Sequence, residues 1–143
     1  MSVTDGLRTY LIAQAPLTAL IGTTNPRIWG GNVIPQAESL PAVTYWESES
    51  EHFHHMTGAS GRAIVMMRID SWATTLVAAL ALAEVVRTEM QGYRGAMGSD
   101  NVRFCHFYGQ NDEYVPPEAG GKIGRYLVWQ EWKIGYVESV PTF

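Results

Sequence analysis

The six residues Glu51 to Met56, Glu-His-Phe-His-His-Met, set three histidines beside a carboxylate, a density at which metal coordination has to be considered. On an extended strand, side chains two apart share a face, so His52 and His54 can reach one ion while His55 points away. A third ligand would have to come from Glu51, His106 or a more distant group. A structural zinc site takes four well-placed ligands and a catalytic one takes three plus water. Neither a thiolate pair nor an HExxH arrangement accompanies these histidines. The expectation is therefore a solvated or interfacial segment, with no metal and no cofactor.

Other chemistry is no better provided for. The lone cysteine, Cys105, is followed directly by His106, and adjacent side chains on a strand face opposite ways, which is wrong for a nucleophile and its base. Its aromatic neighbours Phe104 and Phe107 make it read as a small core hydrophobe. No GxSxG elbow occurs. Glu47, Glu49 and Glu51 fall at a spacing of two and would share one strand face, yet alternating Ser and Glu is also the pattern of a solvated or subunit-facing strand. "GASG" and "EAGGKIG" neither follow a buried strand nor open a helix as a phosphate cradle must, so they read as loops. No residue is assigned a catalytic role, and the chain is not expected to be an enzyme.

The totals agree with that reading. A chain of 143 residues with 46% hydrophobic content is expected to form a single domain, residues 1–143, around one core. Ten basic against fourteen acidic residues leave a net charge of −4, which offers no basic footprint for gripping phosphates. One cysteine cannot form an internal disulfide. The N-terminus lacks the basic start and long apolar run of an export signal. The most apolar stretch, Leu76 to Ala83, is too short to span a bilayer, so no membrane is expected among the partners.

The elements that position these residues follow from periodicity and punctuation. Asp5 or Thr4 can cap a first helix to about Ala15, with Leu7, Leu11 and Ile12 on one face. Pro16 opens a second short helical turn that Gly22 ends. "RIW" is a short extended piece. "AVTYWESESE" and "RAIVMMRIDSW" are predicted to form a long antiparallel hairpin with the histidines near its tip. Asp70 or Ser71 is expected to cap a major helix from about Trp72 to Met90, stopped by Gly92. The middle of that helix, "LVAALALAEVV", is apolar nearly all round and calls for burial on more than one side. "VRFCHFYG" reads as a strand with Val102, Phe104 and His106 on one face and Arg103, Cys105 and Phe107 on the other. "QNDEYVPPEAGG" reads as a long loop, and "GRYLVWQEWKIGYVE" as a closing strand that pairs back on "VRFCHFYG". The expected class is α+β: an antiparallel sheet of about four strands with two helices packed on one face.

Five tryptophans and seven tyrosines are a heavy aromatic load, and a sheet covered on one side leaves another side to hide. Trp129, Trp132 and Tyr136 on the closing strand, with His52, His54, His55 and Met56 at the hairpin tip, are therefore the candidate subunit or partner interface.

The order of pieces, "LTALIG", "RIW", a proline-flanked loop with "PQ", "LPAVTYW", a glycine-containing hairpin, "MRIDSWA" entering a helix and "GRYLVWQEWKIGY", resembles the tail-completion, or tail-terminator, proteins of long-tailed bacteriophages. The likeness runs over nearly the whole chain, with "RIDSWA" before an Ala-rich helix its most specific part. It implies a structural virion protein that forms a hexameric ring at the head-proximal end of the tail tube. Such a ring stops tube polymerisation and joins the tail to the head connector. The implied partners are further copies of the chain, the tail tube protein and the head-tail connector protein, with DNA passing through the ring unbound. The implied location is the virion at the head-tail interface, and the host cytoplasm during assembly. A connector stopper at the same joint, and a small metal-binding enzyme using His52 and His54, stand as alternatives.

Overall fold

The computed structural model describes residues 3–31, 40–55, 58–97, 100–116 and 124–137, with side chains described for all of these except 3, 4, 51–55, 58–61 and 100. The elements in order are α1 (Val3–Ile12), α2 (Ala15–Ile21), β1 (Ile28–Gly30), β2 (Ala42–His55), β3 (Gly58–Ala73), α3 (Leu76–Met90), β4 (Gly95–Met97), β5 (Asp100–Val115) and β6 (Arg125–Val137). The strands form one sheet in the order β1-β2-β3-β6-β5-β4. β1 runs parallel to β2, and the other neighbours are antiparallel.

This corrects the expected four-stranded antiparallel sheet with two helices. The described residues hold a six-stranded mixed sheet, curled into a half-barrel, and three helices. β1 and β4 are three residues each, too short for a period of two to register in sequence. α2 is a separate helix of seven residues, with proline in its first turn and Gly22 beyond its end at φ 111°, a conformation that glycine adopts without a Cβ clash.

The two expected pairings are present, β2 with β3 and β5 with β6. Between them, β3 and β6 pair over twelve unbroken positions, from Arg62↔Val137 to Ala73↔Tyr126. The outer strands are less regular. Register shifts fall between Glu47/Glu49 and His52/His54 in β2, and between Val102/Phe104 and Phe107/Gly109 in β5. Three of the shifts insert one residue into the outer strand, and the one at His52/His54 adds residues to β3, where Ala63 and Ala59 stand opposite; such insertions bend a strand and increase local twist, which curls the sheet.

Three boundaries differ from the sequence reading. Asp70, Ser71 and Trp72 do not open the major helix; they continue β3, and α3 starts at Leu76. Thr75 caps it, its Oγ1 accepting from the Ala78 amide at 3.2 Å. The first helix ends at Ile12 rather than near Ala15. Gln110 to Val115 are strand rather than loop, because they ladder against Arg125 to Gln130 of β6, a backbone bond pattern that polar side chains do not betray.

The helices lie on one face of the sheet. There Leu7 and Leu11 of α1, Leu17 and Ile21 of α2 and Leu82, Val86 and Met90 of α3 meet Val65, Met67 and Ile69 of β3 and Trp132 and Ile134 of β6. Gln130 is fully buried and satisfied: its Nε2 donates to the Ala83 carbonyl at 2.9 Å and to Gln110 Oε1 at 3.0 Å, and its Oε1 accepts from Trp132 Nε1 at 3.3 Å. Among the described residues α3 is covered on its sheet side, and its other side is left open. Val77 is 78% exposed and Leu80 40%.

Trp132 is the largest fully buried side chain, and its indole also fixes Gln130. Trp132→Ala should therefore cost roughly 3–5 kcal/mol of stability, read as a lowered urea midpoint with an unchanged slope.

Candidate interaction surface

The side chains of His52, His54 and His55 lie outside the described residues, as does Met56 altogether. The β2 backbone runs through His55, and His52 and His54 stand opposite Ala63 and Ala59 of β3 across an irregularity in the ladder. Among the described residues no three His, Cys, Asp or Glu gather where they could hold a metal. The expected alignment of Glu47, Glu49 and Glu51 is overturned by the register shift at Ser48. Glu47 stands opposite Met67 on the helix side and Glu49 opposite Met66 on the other side.

In β5 a shift at Arg103 likewise changes the expected faces. Val102, Cys105 and Phe107 turn toward the helices, while Phe104 and His106 share the opposite face and stack at 4.6 Å. Cys105 is buried, and burial pushes its thiol up to about 12, far from an activated nucleophile. Exposed His106 lies on the other side of the sheet from it.

Of the aromatic candidates on β6, Trp132 and Tyr136 line the core under the helices, with Trp132 fully buried. Trp129 stands on the opposite face, in a cluster with Trp29, Ala42, Trp72, Leu127 and Val115. That face is ordered in rungs, since directly opposed residues share a side. Ala42, Trp72 and Leu127 form one rung, Thr44, Asp70 and Trp129 the next, and Trp46, Arg68 and Glu131 the third.

A polar network links these rungs. Trp72 Nε1 donates to Thr44 Oγ1 at 2.9 Å, Thr44 donates on to Asp70 Oδ2 at 3.3 Å, and Arg68 Nε donates to Asp70 Oδ1 at 2.8 Å. The Arg68 guanidinium lies 4.6 Å from the Trp129 ring centre and 5.5 Å from that of Trp46, within cation–π range of both. Asp70 is wholly buried. Desolvation raises its carboxyl above the ordinary value, against the opposing pull of Arg68, Thr44 and Trp46. The Trp46 indole N–H is near enough to favour the Asp70 anion but meets hydrogen-bonding geometry with no acceptor. Sequence reasoning misses this network because it ends the strand "RAIVMMRIDSW" in a helix capped by Asp70 or Ser71, which takes Trp72 off the strand. Read as strand, Arg68, Asp70 and Trp72 fall at spacings of two on one face.

Further along the same face Ile64, Phe104 and Gly135 line a half-open cavity of about 410 Å³, with Arg62 and Arg103 among its walls. Gly135 is required there: a Cβ on it would come within 2.2 Å of the Phe104 ring, which lies over the bare strand. The whole surface carries aromatic, cationic and apolar groups suited to macromolecular contact.

Neither a protein-family model nor a curated protein matches the sequence. Among solved structures, the chain is similar to one from the virion of the native gene transfer agent (GTA) particle. The TM-score is 0.66 at 19% identity, over 95% of this chain and 92% of that one. At that identity the likeness is one of fold.

Two measurements check the buried groups. Because Asp70 is raised above 3.8 in the folded state, the folded protein holds more protons than the unfolded one between that value and the raised midpoint, so stability falls as pH rises through this window. Asp70→Asn should remove that slope, seen as a loss of native stability relative to the variant as urea midpoints are followed upward from about pH 4. The constant offset from Arg68's lost partner does not affect the comparison. For Cys105, a shift from 9.0 to about 12 leaves about a thousandfold less thiolate. A thiol reagent at pH 8 should therefore label the native chain slower by about that factor than the chain in denaturant.

Proposed function

We propose that the chain is a structural subunit of a virion, of the tail-terminator kind: a ring-forming protein that caps the head-proximal end of a tail tube and presents a surface to the head connector. The observation that carries this reading is the fold likeness to a chain of the gene transfer agent virion, which spans nearly all of both chains. The order of sequence motifs described above supports the terminator role, and the exposed apolar residues of α3 supply surface for contact. A hexamer closing head to tail is the assembly this reading expects. Its partners are then further copies of itself, the tube protein and the connector protein, with DNA passing through the bore. The net charge of −4 accords with a ring that lets DNA through without holding it.

Mixing the purified chain with polymerising tail tube protein tests the role. Tubes should be capped at one end, their growth should stop, and native mass spectrometry should give a metal-free hexamer. Tubes that elongate unchanged at saturating chain would overturn the terminator role, and a stoichiometric ion on a monomer would favour a metal site instead.

A further inference from the structure

On the side of α3 that faces away from the sheet, the exposed residues are Val77, Ala78, Leu80, Ala81, Glu84 and Thr88. Glu84 is the one charge in this set. The apolar members occupy the first two turns, and Glu84 follows Leu80 at the four-residue spacing that puts both on one side of a helix.

A trough of the complementary character lies across the other face of the sheet. The 410 Å³ cavity adjoins a second hollow of about 200 Å³ lined by Glu49, Ser50, Ile64, Met66 and Lys133, and Ile64 is common to both. The floor is low at Gly135, where the Phe104 ring lies over bare strand. Ile64, Met66 and Phe104 are only partly buried. Arg103 is exposed at the β5 end of the trough, Arg62 and Lys133 stand along it, and Glu49 marks its β2 end.

The two surfaces match in length and in charge. From Val77 to Glu84 the helix covers about 10 Å, and three strand spacings from β2 to β5 cover about 14 Å. With Glu84 set against Arg103, the N-terminal end of α3 falls toward Glu49, a carboxylate facing the positive end of the helix dipole. An amphipathic helix laid in an apolar groove is a recurrent mode of recognition. Because the sheet stands between α3 and the trough, no chain can fill its own.

We propose that the occupant of the trough is α3 of a second copy of this chain, with Val77, Leu80 and Ala81 seated on Ile64, Met66 and Phe104 and with Glu84 paired to Arg103. The two patches differ, so the contact is heterologous and repeats from copy to copy, closing a ring where the rotation allows. The inference rests on the ring-forming reading above and names the contact that joins its subunits. One contact then covers the apolar surface left open on both sides of the sheet.

The test uses charge exchange on the full chain. Glu84→Arg, Arg103→Glu and the double variant are each checked for native folding by circular dichroism, which the exposure of both positions should permit. Assembly is then read by native mass spectrometry with and without tail tubes. Each single variant sets like charges together at every junction and should lose the ring, and the double variant should regain it. An equal mixture of the two singles should regain it as an even-numbered ring. Leu80→Arg, which brings a charge onto the Ile64 and Phe104 floor beside Lys133, should also lose it.

Single variants that assemble and cap tubes as the wild type does would overturn the helix contact and leave the terminator role standing. Singles that lose the ring, with no rescue in the double variant or the mixture, would overturn the contact as well. Rescue by the double variant without tube capping would uphold the contact and overturn the role. A wild-type chain that stays monomeric with and without tubes would overturn both.

Discussion

The unbroken pairing of β3 with β6 is the constraint on which the remaining structure rests. Twelve consecutive positions keep strict alternation, so one side of both strands is committed to the helices over its full length and the other to the tryptophan-lined face. A shift of one residue would exchange Val65, Met67, Ile69 and Trp132 with Arg68, Trp129 and Lys133, burying charges and exposing the core. Irregularity falls in the ladders of the outer strands β2 and β5, where a change of register alters curvature without disturbing the central pairing from Arg62 to Ala73.

That central pair also carries two hydrogen-bonded buried polar groups, Gln130 and Asp70, that tie the faces to their surroundings. Gln130 looks toward the helices and spends both amide protons on Ala83 and Gln110, joining α3 to β6 and β5. Asp70 looks the other way and is held by Arg68 and Thr44. A buried polar group is costly unless satisfied, so each specifies which strand and which rung must be adjacent. Arg68, with its charge met by Asp70 and its flat surface by Trp46 and Trp129, joins the carboxylate to the aromatic face.

Much of this was legible in the residues. The hairpin of β2 and β3, the return of β6 on β5, the short α2 between Pro16 and Gly22 and the buried character of Cys105 all follow from alternation and punctuation. What escaped depended on the partner strand. β1 and β4 are too short to show a period, and the register shifts at Ser48 and Arg103 reverse the facing of residues that alternation alone assigns with assurance. The reading of Asp70 as a helix cap failed for a related reason. A carboxylate before an Ala-rich helix is a good local start signal, but here a cross-strand arginine and threonine claim it and Thr75 caps instead. The Trp46–Arg68–Trp129 arrangement, formed across three strands, has no local signature.

The difference between the central and outer strands has a mechanical side. Pulled along the strand axis, an unbroken ladder loads all its rungs together in shear, whereas a register shift divides a ladder into shorter runs that yield one after another. Traction entering through β3 or β6 would thus be borne by the stiffest part of the sheet, while β2 and β5 act as compliant margins that deform first and spare the core beneath α3.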